Sequence, residues 1–235
     1  MDKYTKLNLS SVVLITIDVQ NDFILAGAPA EMPGTLQAIP QIVELLKAFR
    51  KLHKPIVHIV RLYLPDGSNV DLCRREAVQS GKKIVAPKTE GAELVDDLKP
   101  SKSVRLDPQL LLEGKAQQIG DQEFVVYKSR WGAFYRTPLE PFLRERSIDS
   151  LVFCGCNFPN CPRTSIYEAS ERDFKIAMAT DAVSGVYEQG LKELERIGVT
   201  LRDTAGIISW LETGSSSKKL MNQNLPPLGP RRGAS

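Results

Sequence analysis

A chain of 235 residues with 42% hydrophobic and 25% charged residues is long enough to bury a full core and ordinary for a globular protein. The formal net charge of +3 is too small to imply nucleic acid, and the basic pairs at 74–75 and 82–83 read as solvated surface. No apolar run approaches the roughly 20 residues of a membrane span, and the N-terminus has no apolar signal region. No nucleic-acid or membrane partner is therefore expected, and a cytoplasmic, reducing setting with free thiols is.

In chain order, VVLITI (12–17) is a continuous β-branched run, as expected of a strand buried on both faces. It ends in DVQNDF and a Gly- and Pro-rich loop. From Thr35 to His53 apolar residues recur at helical spacing, and KPIVHIV (54–60) is a second buried strand. Residues 61–123 are less regular, with a short helix around 69–80. FVVY (124–127) is a third strand, followed by a helix opened by Thr137 as cap and Pro138 in its first turn. SLVFCG (150–155) is a fourth strand and 161–173 a helix, with Asn160 as its cap. KIAMAT (175–180), a helix at 187–197, a short strand at 198–203 and a helix near 203–212 complete the pattern. The alternation predicts a three-layer α/β/α sandwich around a six-stranded, mostly parallel, Rossmann-like sheet. Residues 1–212 form one domain, and the polar, Pro-, Gly- and Ser-rich stretch 213–235 reads as a flexible tail.

Right-handed crossovers put the carboxyl ends of parallel strands on one edge, where sites lie in open α/β sheets. The first strand ends at Asp18, the third at Tyr127 and Lys128, and the loop after the fourth delivers Cys161. An acid, an amine and a thiol therefore share that edge. Three of the four cysteines, Cys154, Cys156 and Cys161, crowd into eight residues, but their spacing fits neither a zinc site nor a C-x-x-C redox pair. The only histidines, His53 and His58, sit away from the carboxyl edge and read as structural. If Cys161 is a nucleophile, its base is Asp18. The first turn of a helix and a nearby Lys128 are expected to lower the thiol pKa. Pro162 has no N–H, so an oxyanion hole is expected from the N–H groups of Cys161 and of a residue near Asn157.

The stretches VVLITIDVQNDF, VYKSRWGAF and GCNFPNCPRTSIYEASERDFKIAMATDAVSG resemble, in order and spacing, the isochorismatase-like cysteine hydrolases over residues 10–212. That resemblance implies a catalytic triad of Asp18, Lys128 and Cys161. It implies a non-proline cis peptide at Cys156–Asn157, which turns the Asn157 N–H into the oxyanion hole. It further implies covalent hydrolysis of a small amide, ureide or lactam through a thioester, in a homodimer or homotetramer; from the cysteine spacing and the scarcity of histidine, no metal or cofactor is expected. Phe23, Tyr63, Trp131, Phe134 and Tyr135 are the candidate pocket walls.

Nicotinamidases carry an Asp-x-His-x-x-His metal site after the second strand. Here RLYLPDGSNVDLCRRE has no histidine, which argues against a zinc-bound pyridine. Cys161 favours C–N cleavage over the vinyl-ether chemistry of true isochorismatases. GCNFPNCPRTS looks closest to the biuret, N-carbamoylsarcosine and streptothricin hydrolases. A streptothricin-type lactam hydrolase and a non-catalytic binding scaffold are the alternatives. Asp66, Asn69, Asp71, Arg74 and Arg75 are placed to meet a polar or charged substrate.

Overall fold

The structure is a computed structural model that describes residues 2–223. The β-branched runs form a parallel ladder because each is buried on both faces: β1 (Val12–Ile17), β2 (Ile56–Val60) and β5 (Ser150–Gly155) are buried at every position. With β3 (Gln117–Gly120), β4 (Glu123–Tyr127), β6 (Lys175–Val183) and β7 (Thr200–Arg202) they make a sheet in the order β3-β4-β2-β1-β5-β6-β7. All pairings are parallel except β3 with β4.

The sheet thus has seven strands, not the six expected. The extra one, β3, is an antiparallel edge strand of sequence QQIG. It escapes an apolar-run criterion because an edge strand does not need two hydrophobic faces.

The helices are α1 (Asn21–Ile24), α2 (Thr35–Lys51), α3 (Leu72–Gln79), α4 (Pro108–Leu112), α5 (Leu139–Glu145), α6 (Cys161–Ser170), α7 (Glu188–Arg196) and α8 (Thr204–Gln223). Short α1 and α4 lie in stretches read as loop or irregular. The tail expected from residue 213 begins within α8, and its residues 224–235 lie outside the described residues. No helix among the described residues is long and apolar enough to cross a membrane.

His58 is structural, as expected. It is fully buried opposite Thr16 in the β1–β2 register, with Nδ1 2.8 Å from the Thr16 hydroxyl and Nε2 2.8 Å from Glu123. Burial alone would raise the Glu123 carboxyl, but the bonds from His58 and Arg50 outweigh it and hold the carboxyl below its usual range. His53 is exposed and faces Asp121 at 3.6 Å.

Successive strands are laid down on one side of β1 through β4, and the chain then returns to place β5 on the other side. The carboxyl ends of β1 and β5 therefore flank the point where the winding reverses, which is where open sheets present a crevice.

Gly155 closes β5 at that point with φ +118, and a Cβ there would lie 2.3 Å from the Ile17 carbonyl oxygen and 2.6 Å from the Ile17 nitrogen. Both are backbone atoms of the adjoining strand, so neither can move aside cheaply. Gly155→Ala is expected to cost about 3–5 kcal/mol, combining a disfavoured φ with overpacking. Thermal unfolding should register this as a fall of roughly 10 °C for a chain of this size. An unchanged transition would mean that the two strand ends are not held in this contact.

Candidate active site

Asp18 is the first residue past β1 and adopts φ +53, a left-handed conformation that Asp tolerates better than most side chains. Its N–H donates to the Ile59 carbonyl on β2 at 2.9 Å, which fixes the direction of the side chain. Lys128 is the first residue past β4, and its N–H donates to the Val60 carbonyl at 3.0 Å. The Lys128 ammonium is fully buried and donates to Asp18 Oδ2 at 2.7 Å and to the Arg130 carbonyl at 3.2 Å. The other carboxylate oxygen, Asp18 Oδ1, is buried and has no hydrogen-bond partner among the described residues.

Cys161 opens α6, with Pro162 behind it in the first turn. The expected Asn160 cap does not form: the Asn160 side chain reaches back to Asn157 Oδ1 at 3.3 Å instead. The peptide bond Cys156–Asn157 is cis. The backbone donors around the cysteine can be accounted for one by one. Cys156 N–H goes to Ile17, Phe158 to Ser184, Asn160 to Asn157, Arg163 to Phe158 and Thr164 to Asn160. Pro159 and Pro162 have no N–H. The N–H groups of Asn157 and Cys161 are left, and neither has an acceptor among the described residues. Asn157 is half-buried and Cys161 buried, so two backbone donors without a protein acceptor lie beside the thiol.

The Cys161 thiol does not have the lowered pKa expected of it. Burial pushes it up first, the Asp18 carboxylate pushes it further, and Lys128 and Arg61 only partly offset both. The resting group is a thiol rather than a thiolate. The other cysteines are also free. Cys154 is core, its thiol facing the Ile15 carbonyl at 3.8 Å, and burial raises the pKa of both Cys154 and Cys156.

Arg61 is the residue that sequence reasoning missed. It follows β2, is fully buried, and contacts both carboxylates of the site and the cysteine sulfur. Its Nη2 lies 3.6 Å from Cys161 Sγ, its Nη1 2.9 Å from Asp71 and its Nε 3.9 Å from Asp18. Burial acts to lower its pKa, but the Asp18 and Asp71 carboxylates beside it more than compensate and hold the guanidinium charged. Gln20 pins its backbone, accepting the Arg61 N–H at 2.7 Å and donating to the Arg61 carbonyl at 2.8 Å. The rule that singled out Asp18 and Lys128, polar residues directly past a buried strand, applies equally to Arg61.

The cavity at this point is lined by Asp18, Phe23, Met32, Arg74, Trp131, Cys156, Asn157, Asn160 and Cys161. It encloses only about 10 Å³, far below the roughly 300–1,000 Å³ of sites for drug-sized ligands.

Of the five expected walls, Phe23 and Trp131 line it. Trp131 is delivered there because the following loop docks on α6, with Ala133 N–H on Ser165 Oγ at 3.0 Å and Phe134 N–H on Glu168 at 2.8 Å. The other three lie outside the lining. Tyr63 is buried behind it and donates to Asp71 at 2.7 Å. Phe134 packs on Phe174 with ring centroids 5.6 Å apart, and Tyr135 is exposed beside Arg136.

Of the polar 66–75 segment only Arg74 reaches the cavity. Asp66 caps a turn at Ser68, Asn69 ties Leu62, Leu64 and Tyr127 together, Asp71 is buried against Arg61, and Arg75 bonds the Val70 carbonyl. No group of three or more His, Cys, Asp or Glu that could hold a metal occurs among the described residues.

Comparison with known proteins gives the family and the fold. The sequence profile of the Isochorismatase domain matches residues 12–107 and 107–206. A probable inactive nicotinamidase of Arabidopsis thaliana is 28% identical over 195 residues, covering 80% of this chain and 90% of its own. The N-carbamoylsarcosine amidase of an Arthrobacter species is 25% identical over 203 residues, covering 85% and 70%. The crystal structure of an isochorismatase family protein from Desulfovibrio vulgaris superposes with a TM-score of 0.73 at 30% identity, covering 86% of this chain and 98% of that one.

Proposed function

The chain belongs to the isochorismatase domain family, and from that premise we propose that it is a cysteine hydrolase that cleaves a C–N bond of a small amide, ureide or lactam. The observation that carries this reading is the convergence of the Asp18–Lys128 pair and two unspent N–H groups on the Cys161 thiol.

Asp18 Oδ1 takes the thiol proton as Sγ attacks the carbonyl carbon. The N–H groups of Asn157 and Cys161 receive the oxyanion. Its collapse breaks the C–N bond, and Asp18 returns the proton to the leaving nitrogen. A thioester on Cys161 remains. Water, deprotonated by Asp18, hydrolyses it and releases the acid and the thiol. Lys128 holds the Asp18 carboxylate in place between these steps, and Arg61 faces the sulfur when it carries charge. Because the resting sulfur is protonated, base and nucleophile act together rather than through a standing ion pair. Metal and cofactor have no part in these steps. A cytoplasmic setting suits a free catalytic thiol, and a homodimer or homotetramer is the expected assembly.

A screen for ammonia release over amides, ureides and lactams, with biuret and streptothricin among them, tests the reading. Release should disappear in Cys161→Ser, and intact-mass spectrometry should trap the acyl group on Cys161. Release that survives Cys161→Ser would remove the mechanism.

A second reading, a binding protein that keeps the fold without turnover, draws on the likeness to a probable inactive relative. It requires ligand binding with no acyl-enzyme on any compound bound. The intact Asp18, Lys128 and Cys161 weigh against it.

A further inference from the structure

Four of the five charged side chains around Cys161 neutralise one another. Lys128 is held by Asp18 at 2.7 Å, and Arg61 by Asp71 at 2.9 Å. The same Asp71 oxygen accepts from the Tyr63 hydroxyl at 2.7 Å, while Asp71 Oδ1 has no hydrogen-bond partner among the described residues. The fifth, Arg74, is not matched. Its nearest carboxylate is that same Asp71 oxygen, 4.0 Å away. Its one hydrogen-bond acceptor among the described residues is the Tyr63 hydroxyl, at 3.1 Å. A guanidinium has five N–H donors in a fixed fork, so most of this one's are unspent.

Arg74 is nonetheless held in place. Its guanidinium carbon lies 5.6 Å from the Phe23 ring centroid and 5.5 Å from that of Trp131. These two rings are the aromatic walls of the cavity, so the contact that fixes the guanidinium also aims it into the site. The side chain is 19% exposed, and its unbonded nitrogens keep some contact with solvent. A largely buried cation with spare donors is costly until an anion meets it. A carboxylate meets it best, because the planar fork binds one in a bidentate manner.

We propose, on the reading of Cys161 as nucleophile given above, that Arg74 is the carboxylate anchor of the site and that the substrate is an acid amide or ureido acid. The cavity is small and is lined by both Arg74 and Cys161. Only a few atoms therefore separate the carboxylate from the carbonyl that Sγ attacks. A neutral amide of the same skeleton leaves Arg74 unmatched and is the poorer substrate.

Two alkylating agents of nearly the same size test this without knowledge of the substrate. Iodoacetate and iodoacetamide both form an S–C bond at Cys161 and lose iodide, with the thiol proton passing to base, and they differ in a carboxylate against a carboxamide. Site-resolved mass spectrometry should find the iodoacetate-to-iodoacetamide rate ratio at Cys161 at least about tenfold above that of N-acetylcysteine. The excess should vanish in Arg74→Gln and persist in part in Arg74→Lys. In the native chain, with no variant needed, succinamate should protect Cys161 from iodoacetamide at concentrations where succinamide does not. A native ratio equal to that of N-acetylcysteine, with both compounds protecting alike, overturns the anchor and leaves the nucleophile standing. So does an excess that survives Arg74→Gln, since other donors then read the anion. A Cys161 that reacts with neither reagent removes the nucleophile reading itself.

Discussion

Asp18→Asn should abolish hydrolysis while making Cys161 more easily alkylated. Loss of a general base costs on the order of 10²–10⁴-fold, and here the same group also protonates the leaving nitrogen, so the upper part of that range is expected. The gain in alkylation follows from the charges around the sulfur. Burial raises the thiol pKa most, and the charge of the Asp18 carboxylate raises it further. Lys128 and Arg61 pull the other way. Asn removes the opposing charge and leaves two buried cations facing the sulfur, for which a Cys161 thiolate is then the nearest available anion. In the native protein the alkylation rate should rise with pH through a midpoint above the ~8.5 of an ordinary cysteine. In Asp18→Asn that midpoint should move down, and the rate at neutral pH should go up. Iodoacetamide modification followed by mass spectrometry across pH measures both. A parallel fall in turnover and in alkylation would show that Asp18 does not hold the thiol proton, and the base would have to be sought elsewhere.

The second large effect concerns stability. Lys128→Met should destabilise the fold by about 3–5 kcal/mol, because it strips the 2.7 Å partner from a buried carboxylate and leaves only the Arg61 Nε at 3.9 Å. The pair is better judged by a cycle than by one variant. In Lys128→Met with Asp18→Asn neither charge is orphaned by the other, so the double variant should be more stable than the sum of the single losses by about 1–3 kcal/mol. Urea unfolding of the four proteins gives the coupling. Turnover should be absent from all three variants, which separates the structural cost of the pair from its catalytic use. A coupling near zero would mean that Lys128 and Asp18 do not share a charge, and Lys128 would lose its place in the mechanism.

How much of this was legible in the sequence differs from residue to residue. Asp18 and Lys128 stand out because each directly follows an apolar, β-branched run, and parallel strands carry their ends to one edge. Cys161 stands out because a helical pattern and a proline follow it at once. Arg61 occupies an equivalent position and has the same signal, in IVHIV-RLY, but an isolated arginine past a strand reads as surface until its burial is seen. Phe134 and Tyr135 sit beside Trp131 in the chain, yet only Trp131 turns into the cavity, since backbone bonds to Ser165 and Glu168 set the path of the loop. Strand β3 was hidden because an edge strand with polar faces lacks the apolar run by which buried strands declare themselves.

By itself the sequence determined the layered α/β architecture, the shared edge and the three side chains brought to it. These rest on local patterns, periodicity and strand ends, that the chain carries wherever it lies. Only the tertiary structure decided that Cys161 rests as a thiol, that Arg61 joins the site and that Arg74 alone of its polar segment faces the cavity. Those outcomes depend on burial and on charge at distances of a few ångströms between residues far apart in the chain. No spacing along a sequence encodes such distances, because desolvation and Coulomb attraction act through space.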